Sequence, residues 1–234
     1  IDGISVQAFK EHLTANLCQL HEELRSGTYR PQAVKRVYID KEDGGKRPLG
    51  IPTVKDRVVQ QALLNVLQPI FEPEFHPSSY GYRPGRSAHH AIAKAERFTR
   101  YYGLDHVVVM DLSKCFDTLD HELILSSVNE KVSDGKVLRL IDSFLKSGII
   151  DKGKFEPTEK GSPQGGIISP LLTNIYLNKF DQYMKTLGIR IVRYADDILV
   201  FASTKSEAGK YRAIATTYLE GELMLTVNRE KTHL

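Results

Sequence analysis

The stretch RYADDILV, Arg193–Val200, decides how this chain is read. Its flanks, IRIV at 189–192 and ILVFA at 198–202, are rich in β-branched and aromatic residues and read as strands. Asp196 and Asp197 sit between them. In an unbroken strand successive side chains point to opposite faces, so one carboxylate would enter a core. A turn lifts both residues out of that alternation, so the stretch predicts a β-hairpin with both aspartates at its tip. Taken alone, adjacent aspartates in a turn are ordinary. A third carboxylate changes the reading. Asp111 ends the nearly all-apolar run HVVVMDL at 106–112, which has the pattern of a buried strand. A charge at that position is costly unless it is paired or bound to a cation. If this strand lies beside the hairpin, three carboxylates converge. Hard oxygen ligands of this kind suit Mg²⁺, and two such ions can serve phosphoryl transfer.

Composition bounds the rest. The chain has 234 residues, 41% hydrophobic and 26% charged, enough for one large domain or two small lobes around a sizeable core. No apolar run approaches the roughly 18 residues of a membrane span, and no signal peptide is visible. The chain starts without Met and ends abruptly at REKTHL, and so reads as a piece of something longer. Cys18 and Cys115 are far apart, which suggests neither a disulfide framework nor a zinc site and fits a reducing, cytoplasmic compartment. Net charge is only +3, but its distribution is uneven. Between Arg25 and Arg57, nine basic residues (25, 30, 35, 36, 41, 46, 47, 55 and 57) face four acids (40, 42, 43 and 56), a local +5 that leaves −2 elsewhere. Such a segment fits contact with phosphates, although a solvated charged face has the same composition.

Periodicity predicts a helix from Ser5 to Leu24, through Phe9, Leu13, Leu17 and Leu20. AVKRVYI and KRPLGIP, joined by DKEDGG, predict a hairpin. Helices are expected at Val54–Phe71, after Ser87, at about 120–131 and 134–147, from Ser169-Pro170 to Leu187, and near 206–221. Weaker strand signals lie near 148–156, and LMLTVN at 223–228 reads as a last strand. Strands and helices mix without strict alternation, which predicts an α+β fold. Asp120 reads as a helix N-cap and the pair His89-His90 as structural or surface.

These segments resemble, in order, the motifs of group II intron reverse transcriptases (maturases). RYADDILVF resembles the family's catalytic hairpin and VVVMDLSKCFDTLDHELI (107–124) its first carboxylate motif. KGSPQGGIISPLLTNIYLNKFD (160–181) is similar to the motif between them. GTYRPQAVKRVYIDKEDGGKRPLGIPTVKDRVVQQAL (27–63) and SSYGYRPGRSAHHAI (78–92) resemble the fingers motifs. LMLTVNREKTHL (223–234) resembles the segment after the hairpin, and IDGIS (1–5) the N-terminal extension.

The resemblance implies a right-hand polymerase. Residues 1–104 would form the extension and fingers, and 105–234 a palm of antiparallel sheet backed by helices, with about 120–160 packing toward the fingers. No thumb is expected within the chain, so by itself it would be weakly active or inactive. The activity implied is RNA-directed DNA polymerisation for a group II intron, with intron RNA binding for splicing and mobility. A pure splicing cofactor and a CRISPR-associated reverse transcriptase are the alternatives. By position, Asp111, Asp196 and Asp197, with the Leu112 backbone carbonyl, would hold two Mg²⁺ ions, for which Mn²⁺ could substitute. Phe116 would sit under the sugar and reject a ribose 2′-OH; taken alone it reads as a core aromatic. Lys35, Lys41 and Arg47 would hold the triphosphate, and Gln164 and Gly165 would flank the nascent base pair. Arg83, Arg86 and Asn174 would touch the template, and Lys231 would assist the leaving pyrophosphate. Partners implied are an RNA template, intron RNA, a DNA or RNA primer and dNTPs, without a membrane. A palm lacking its thumb would leave apolar surface for self-association. Cys115 stands where many relatives carry an aromatic, and is expected to pack.

Overall fold

The computed structural model describes residues 2–40 and 44–234. Lys41, expected on the fingers hairpin, lies outside them. The helix expected over the first 24 residues is two, α1 (Val6–Glu11) and α2 (Leu13–Ser26). His12 separates them because its backbone (φ −120°, ψ 35°) leaves the helical region. Phe9 and Leu20 are buried while Leu13 and Leu17 stay exposed, so the apolar spacing does not form one continuous buried stripe.

Two strands follow, β1 (Val34–Asp40) and β2 (Lys46–Ile51), paired antiparallel. Helix α3 (Val54–Phe71) starts at Thr53, whose hydroxyl accepts from Asp56 N–H at 3.1 Å. Asp56 is buried, and its carboxylate is satisfied by the Tyr29 hydroxyl, the Thr53 hydroxyl (2.7 Å) and Gln32 N–H (3.2 Å). This knot ties the chain after α2 to the first turn of α3. Then come α4 (Ala88–Tyr102), capped by Ser87, β3 (His106–Met110) and the unforeseen single turn α5 (Cys115–Thr118). Helices α6 (His121–Asn129) and α7 (Gly135–Leu145) are capped by Asp120 and Asp134, as Asx residues at N-caps commonly do. Short strands β4 (Ile149–Asp151) and β5 (Lys154–Glu156) lead to α8 (Ser169–Thr186), the hairpin β6 (Arg190–Tyr194) and β7 (Asp197–Ala202), and α9 (Lys205–Gly221). Ser169 begins α8 without capping it; its hydroxyl turns back to Pro163 O at 2.9 Å.

The strands form two sheets. One has the order β2-β1-β4-β5, with β1 and β4 parallel. The hairpin β4–β5 thus completes the basic N-terminal sheet although it follows α7 in the chain. The other sheet, β3-β7-β6, is antiparallel throughout. The strand expected at 223–228 is reduced to single bridges, Leu112↔Val227 and Val109↔His233, which lay this segment along the free side of β3. Met224, near the start of this segment, is left-handed (φ 51°).

Alternation along β3, β6 and β7 builds three layers. Val108, Met110, Ile191, Ile198 and Val200 join Leu172, Tyr176 and Phe180 of α8 and Leu219 of α9 in the main core. The opposite face carries Val192 and Phe201, packed with Ala91 and Phe98 of α4. The main core also takes in Leu20, Tyr29, Val59 and Leu63, so apolar packing is continuous across the boundary expected near residue 104.

The Asp56 knot yields a direct stability test. Tyr29→Phe keeps the ring against Phe144 but leaves one oxygen of a buried carboxylate without its donor. Such losses cost about 1–3 kcal/mol. Urea unfolding should show a lower midpoint with an unchanged slope, and an unchanged midpoint would mean that the bond contributes nothing.

Candidate active site

The hairpin register pairs Tyr194 with Asp197, leaving a two-residue loop of Ala195 and Asp196. Ala195 adopts φ 57°, the sign that the first residue of a type II′ hairpin turn requires and that glycine normally supplies. Such a conformation costs a non-glycine residue on the order of 1–3 kcal/mol and persists only where the surroundings over-determine it. One such surrounding is Gly81: a Cβ there would stand 2.3 Å from Ala195 N, so only glycine lets the 78–83 loop press against the turn.

Across the sheet Met110 faces Ile198, so Asp111, the next residue, comes alongside Asp197. Burial pushes the Asp197 carboxyl above the usual carboxylate range, and the charges of Asp196 and Asp111 push it the same way, against Lys231. Asp111 is held from behind. Asn228 donates from Nδ2 to Asp111 Oδ2 (3.1 Å) and from its N–H to the Asp111 carbonyl (2.9 Å). The Asn228 side-chain oxygen accepts from Lys231 N–H at 3.3 Å, and Lys231 Nζ lies 4.0 Å from Asp111 Oδ2. Leu112 buries its side chain and bridges to Val227.

These donors are hard oxygens crowded with like charge, which is the chemistry a divalent cation relieves. Among the described residues no three His, Cys, Asp or Glu side chains come close enough to hold a metal ion by themselves. That is compatible with Mg²⁺, which keeps several waters and usually takes one or two carboxylates together with substrate phosphates.

Phe116 is 8% exposed, one edge lying against Tyr82 with ring centroids 6.2 Å apart. Tyr82, at φ 58° and 55% exposed, was not anticipated. Burial raises its hydroxyl pKa, Asp196 adds to the rise, and Arg47 opposes it. Cys115 is packed inside, its thiol pushed up to about 12 by burial. Gln164 and Gly165 lie against β2: Gly50 N–H donates to Gln164 O at 2.5 Å, and a Cβ on Gly165 (φ 110°) would stand 2.4 Å from Gly50 O. Lys35 and Arg47 are exposed on β1 and β2. Arg36, unforeseen, acts on Asp117, whose carboxyl is raised by burial and lowered again by that guanidinium.

Arg83, Arg86 and Asn174 were expected to reach a template. The polar groups of Arg83 and Asn174 are engaged within the fold, while Arg86 is half-buried. Arg83 is buried, paired with Glu72 (2.7 Å) and donating to His76 O and Ser79 O. Arg86 donates to Pro77 O at 2.7 Å and lies over the Tyr80 ring. Asn174 is buried and donates to Gly81 O at 2.9 Å. All three shape the 76–86 loop that backs the hairpin turn. His89 and His90 are exposed.

The reverse transcriptase (RNA-dependent DNA polymerase) family matches residues 39–234. Protein YkfC of Escherichia coli K12 is 37% identical across the whole chain, which spans 71% of that protein. The group II intron-encoded protein LtrA of Lactococcus lactis is 39% identical over 82% of the chain, which spans 31% of LtrA. A telomerase from Candida tropicalis, solved with a fragment of telomeric RNA, superposes with a TM-score of 0.65 at 16% identity over 93% of this chain and 44% of that one. A chain of a Cas6-RT-Cas1–Cas2 complex gives 0.51 at 23% identity over 89% and 38%. At these identities the two structures bear on the fold alone.

Asn228 supplies the test of this geometry. Asn228→Ala frees the Asp111 carboxylate to rotate, and partners of this kind typically cost 10–100-fold in metal affinity when removed. Mn²⁺ titration followed by electron paramagnetic resonance should show weaker binding by about that factor; unchanged affinity would mean that Asp111 needs no support.

Proposed function

The chain belongs to the reverse transcriptase (RNA-dependent DNA polymerase) family, among the group II intron-encoded proteins, and we propose that Asp111, Asp196 and Asp197 are the carboxylates with which it catalyses RNA-templated addition of dNMP to a primer 3′-OH. The observation that carries this reading is the meeting of Asp111, at the end of a buried strand, with a tight turn bearing two more carboxylates. Enzymes of this family use divalent metal ions. Two Mg²⁺ ions bound there would lower the pKa of the attacking primer hydroxyl and neutralise charge on the triphosphate. Asp111 and Asp196 would hold these ions as principal ligands, with Asp197 and the Leu112 carbonyl assisting.

The other residues orient substrates. Lys35 and Arg47 bind the triphosphate from the basic sheet, where guanidinium and ammonium groups supply charge-assisted hydrogen bonds, and Lys41 shares this role by its place in the sequence. Gln164 and Gly165 border the nascent base pair, on a loop pinned to β2. Phe116 is the wall beneath the sugar. Lys231, within 4.0 Å of Asp111, donates a proton toward the leaving pyrophosphate. Relatives in this family act on RNA, and the basic Arg25–Arg57 segment supports a second role in gripping intron RNA. The 39% identity to an intron-encoded protein supports the intron assignment. No helix among the described residues is long and apolar enough to cross a membrane.

Two variants of the full-length protein test the reading. Asp196→Asn should abolish primer extension without lowering the melting temperature, because it removes one of three mutually repelling charges. Extension at near wild-type rate would overturn the assignment. Phe116→Ala should admit ribonucleotides while dNTP use continues. If Phe116 were only a packing residue, the variant would cost about 3–5 kcal/mol of stability and leave the dNTP/rNTP ratio unchanged.

A further inference from the structure

Arg193 precedes the hairpin turn by one residue and is the largest fully buried side chain of the described structure. Its alternation with Ile191 turns it toward α8, away from solvent and from any substrate. There Nε donates to both carboxylate oxygens of Asp181 (2.9 and 3.0 Å) and Nη2 donates to Oδ2 (2.6 Å). Both side chains are 0% exposed. The remaining nitrogen, Nη1, donates to Asn174 Oδ1 and to the carbonyl of Ala195, each at 2.9 Å. Asn174 passes the connection on, donating to Gly81 O, and Gly81 is the residue pressed against Ala195 N. The Arg193 backbone is fixed too: its N–H donates to Ser78 O and its carbonyl accepts from Tyr80 N–H, both at 2.9 Å.

A buried ion pair is weak evidence for stability, because desolvation of both charges offsets their attraction. What this pair does have is a fork aimed at one backbone oxygen, that of the residue held at φ 57°. We infer that Arg193, clamped by Asp181, is a positioning residue: it holds Ala195 in the left-handed conformation that presents Asp196 and Asp197, with Asn174 and Gly81 closing the turn from its other side. The inference rests on the carboxylates being the catalytic ones. It assigns to α8 a share in catalysis through Asp181, although that residue touches no substrate.

The test uses the full-length protein in three forms: wild type, Arg193→Lys, and Arg193→Lys combined with Ala195→Gly. Lysine keeps the charge but lacks the planar fork that serves Asp181, Asn174 and Ala195 together. Misplacement of a reacting group by about 1 Å costs on the order of a hundredfold in rate. Arg193→Lys should therefore lower kcat by about a hundredfold with little change in KM for dNTP, and weaken Mn²⁺ binding. Glycine accepts positive φ freely, so the added Ala195→Gly should restore much of both. Hydrogen–deuterium exchange over 190–202 should quicken in the single variant and slow again in the double. A residue that only stabilises the fold predicts otherwise: activity falling with the folded fraction, unchanged Mn²⁺ affinity and exchange at the turn, and no rescue by glycine. That result would overturn the inference. If Arg193→Lys fails to fold, Asn174→Ala, paired with Ala195→Gly, is read in the same way. If wild type neither extends a primer nor binds Mn²⁺, the catalytic reading falls. Exchange at the turn then still decides whether Arg193 holds it.

Discussion

Three carboxylates at one end of a small apolar sheet repel one another before any cation arrives. Burial raises the Asp197 carboxyl above the usual carboxylate range, and the charges of Asp196 and Asp111 raise it further. The surrounding elements answer that repulsion by fixing backbone. Asn228 holds Asp111 through both its side chain and its N–H. Gly81 presses the 78–83 loop onto Ala195. Arg193 spends its entire fork inside the protein. The carboxylates stay at the edge, while Arg193 and Gly81 behind them are buried.

The second constraint is the reach of the basic sheet. Strands β1 and β2 carry Lys35 and Arg47, and a hairpin alone is marginally stable in water. Here it gains β4 and β5 on its open side and the Gln164–Gly165 loop against Gly50. Both additions come from the chain between the two carboxylate motifs. The same segment that links the catalytic strands thus anchors the cationic sheet, which ties the position of the phosphate-binding residues to that of the carboxylates. Continuity of the apolar core across residue 104 has the same effect.

Much of this was legible because it is local. Helix α3 follows its apolar spacing over Val54–Phe71, and the β6–β7 hairpin follows from the β-branched flanks of the two aspartates. Asp120 and Ser87 cap helices as their positions suggested. The failures are non-local. Nothing in Val34 or Ile149 announces that they pair in parallel. The break at His12 divides a helix in which only Phe9 and Leu20 are buried. Arg83, Arg86 and Asn174 were assigned to the template by their place in the family's motifs, but Glu72 and Gly81 engage Arg83 and Asn174 within the fold. Arg193 was the opposite case: it stood in the quoted motif, and its alternation with buried Ile191 was the available sign that it faces the core. Asn228 had no such sign, since its link to Asp111 crosses 117 residues.

The most direct measurement of the central claim is an anomalous diffraction map of the full-length protein bound to a primer–template, a non-hydrolysable dNTP analogue and Mn²⁺. If Asp111 and Asp196 are the principal ligands, manganese peaks will lie between their carboxylates and the triphosphate, with the Ala195 turn unmoved. Ordered triphosphate with manganese held elsewhere, and both carboxylates turned away from it, would contradict the assignment.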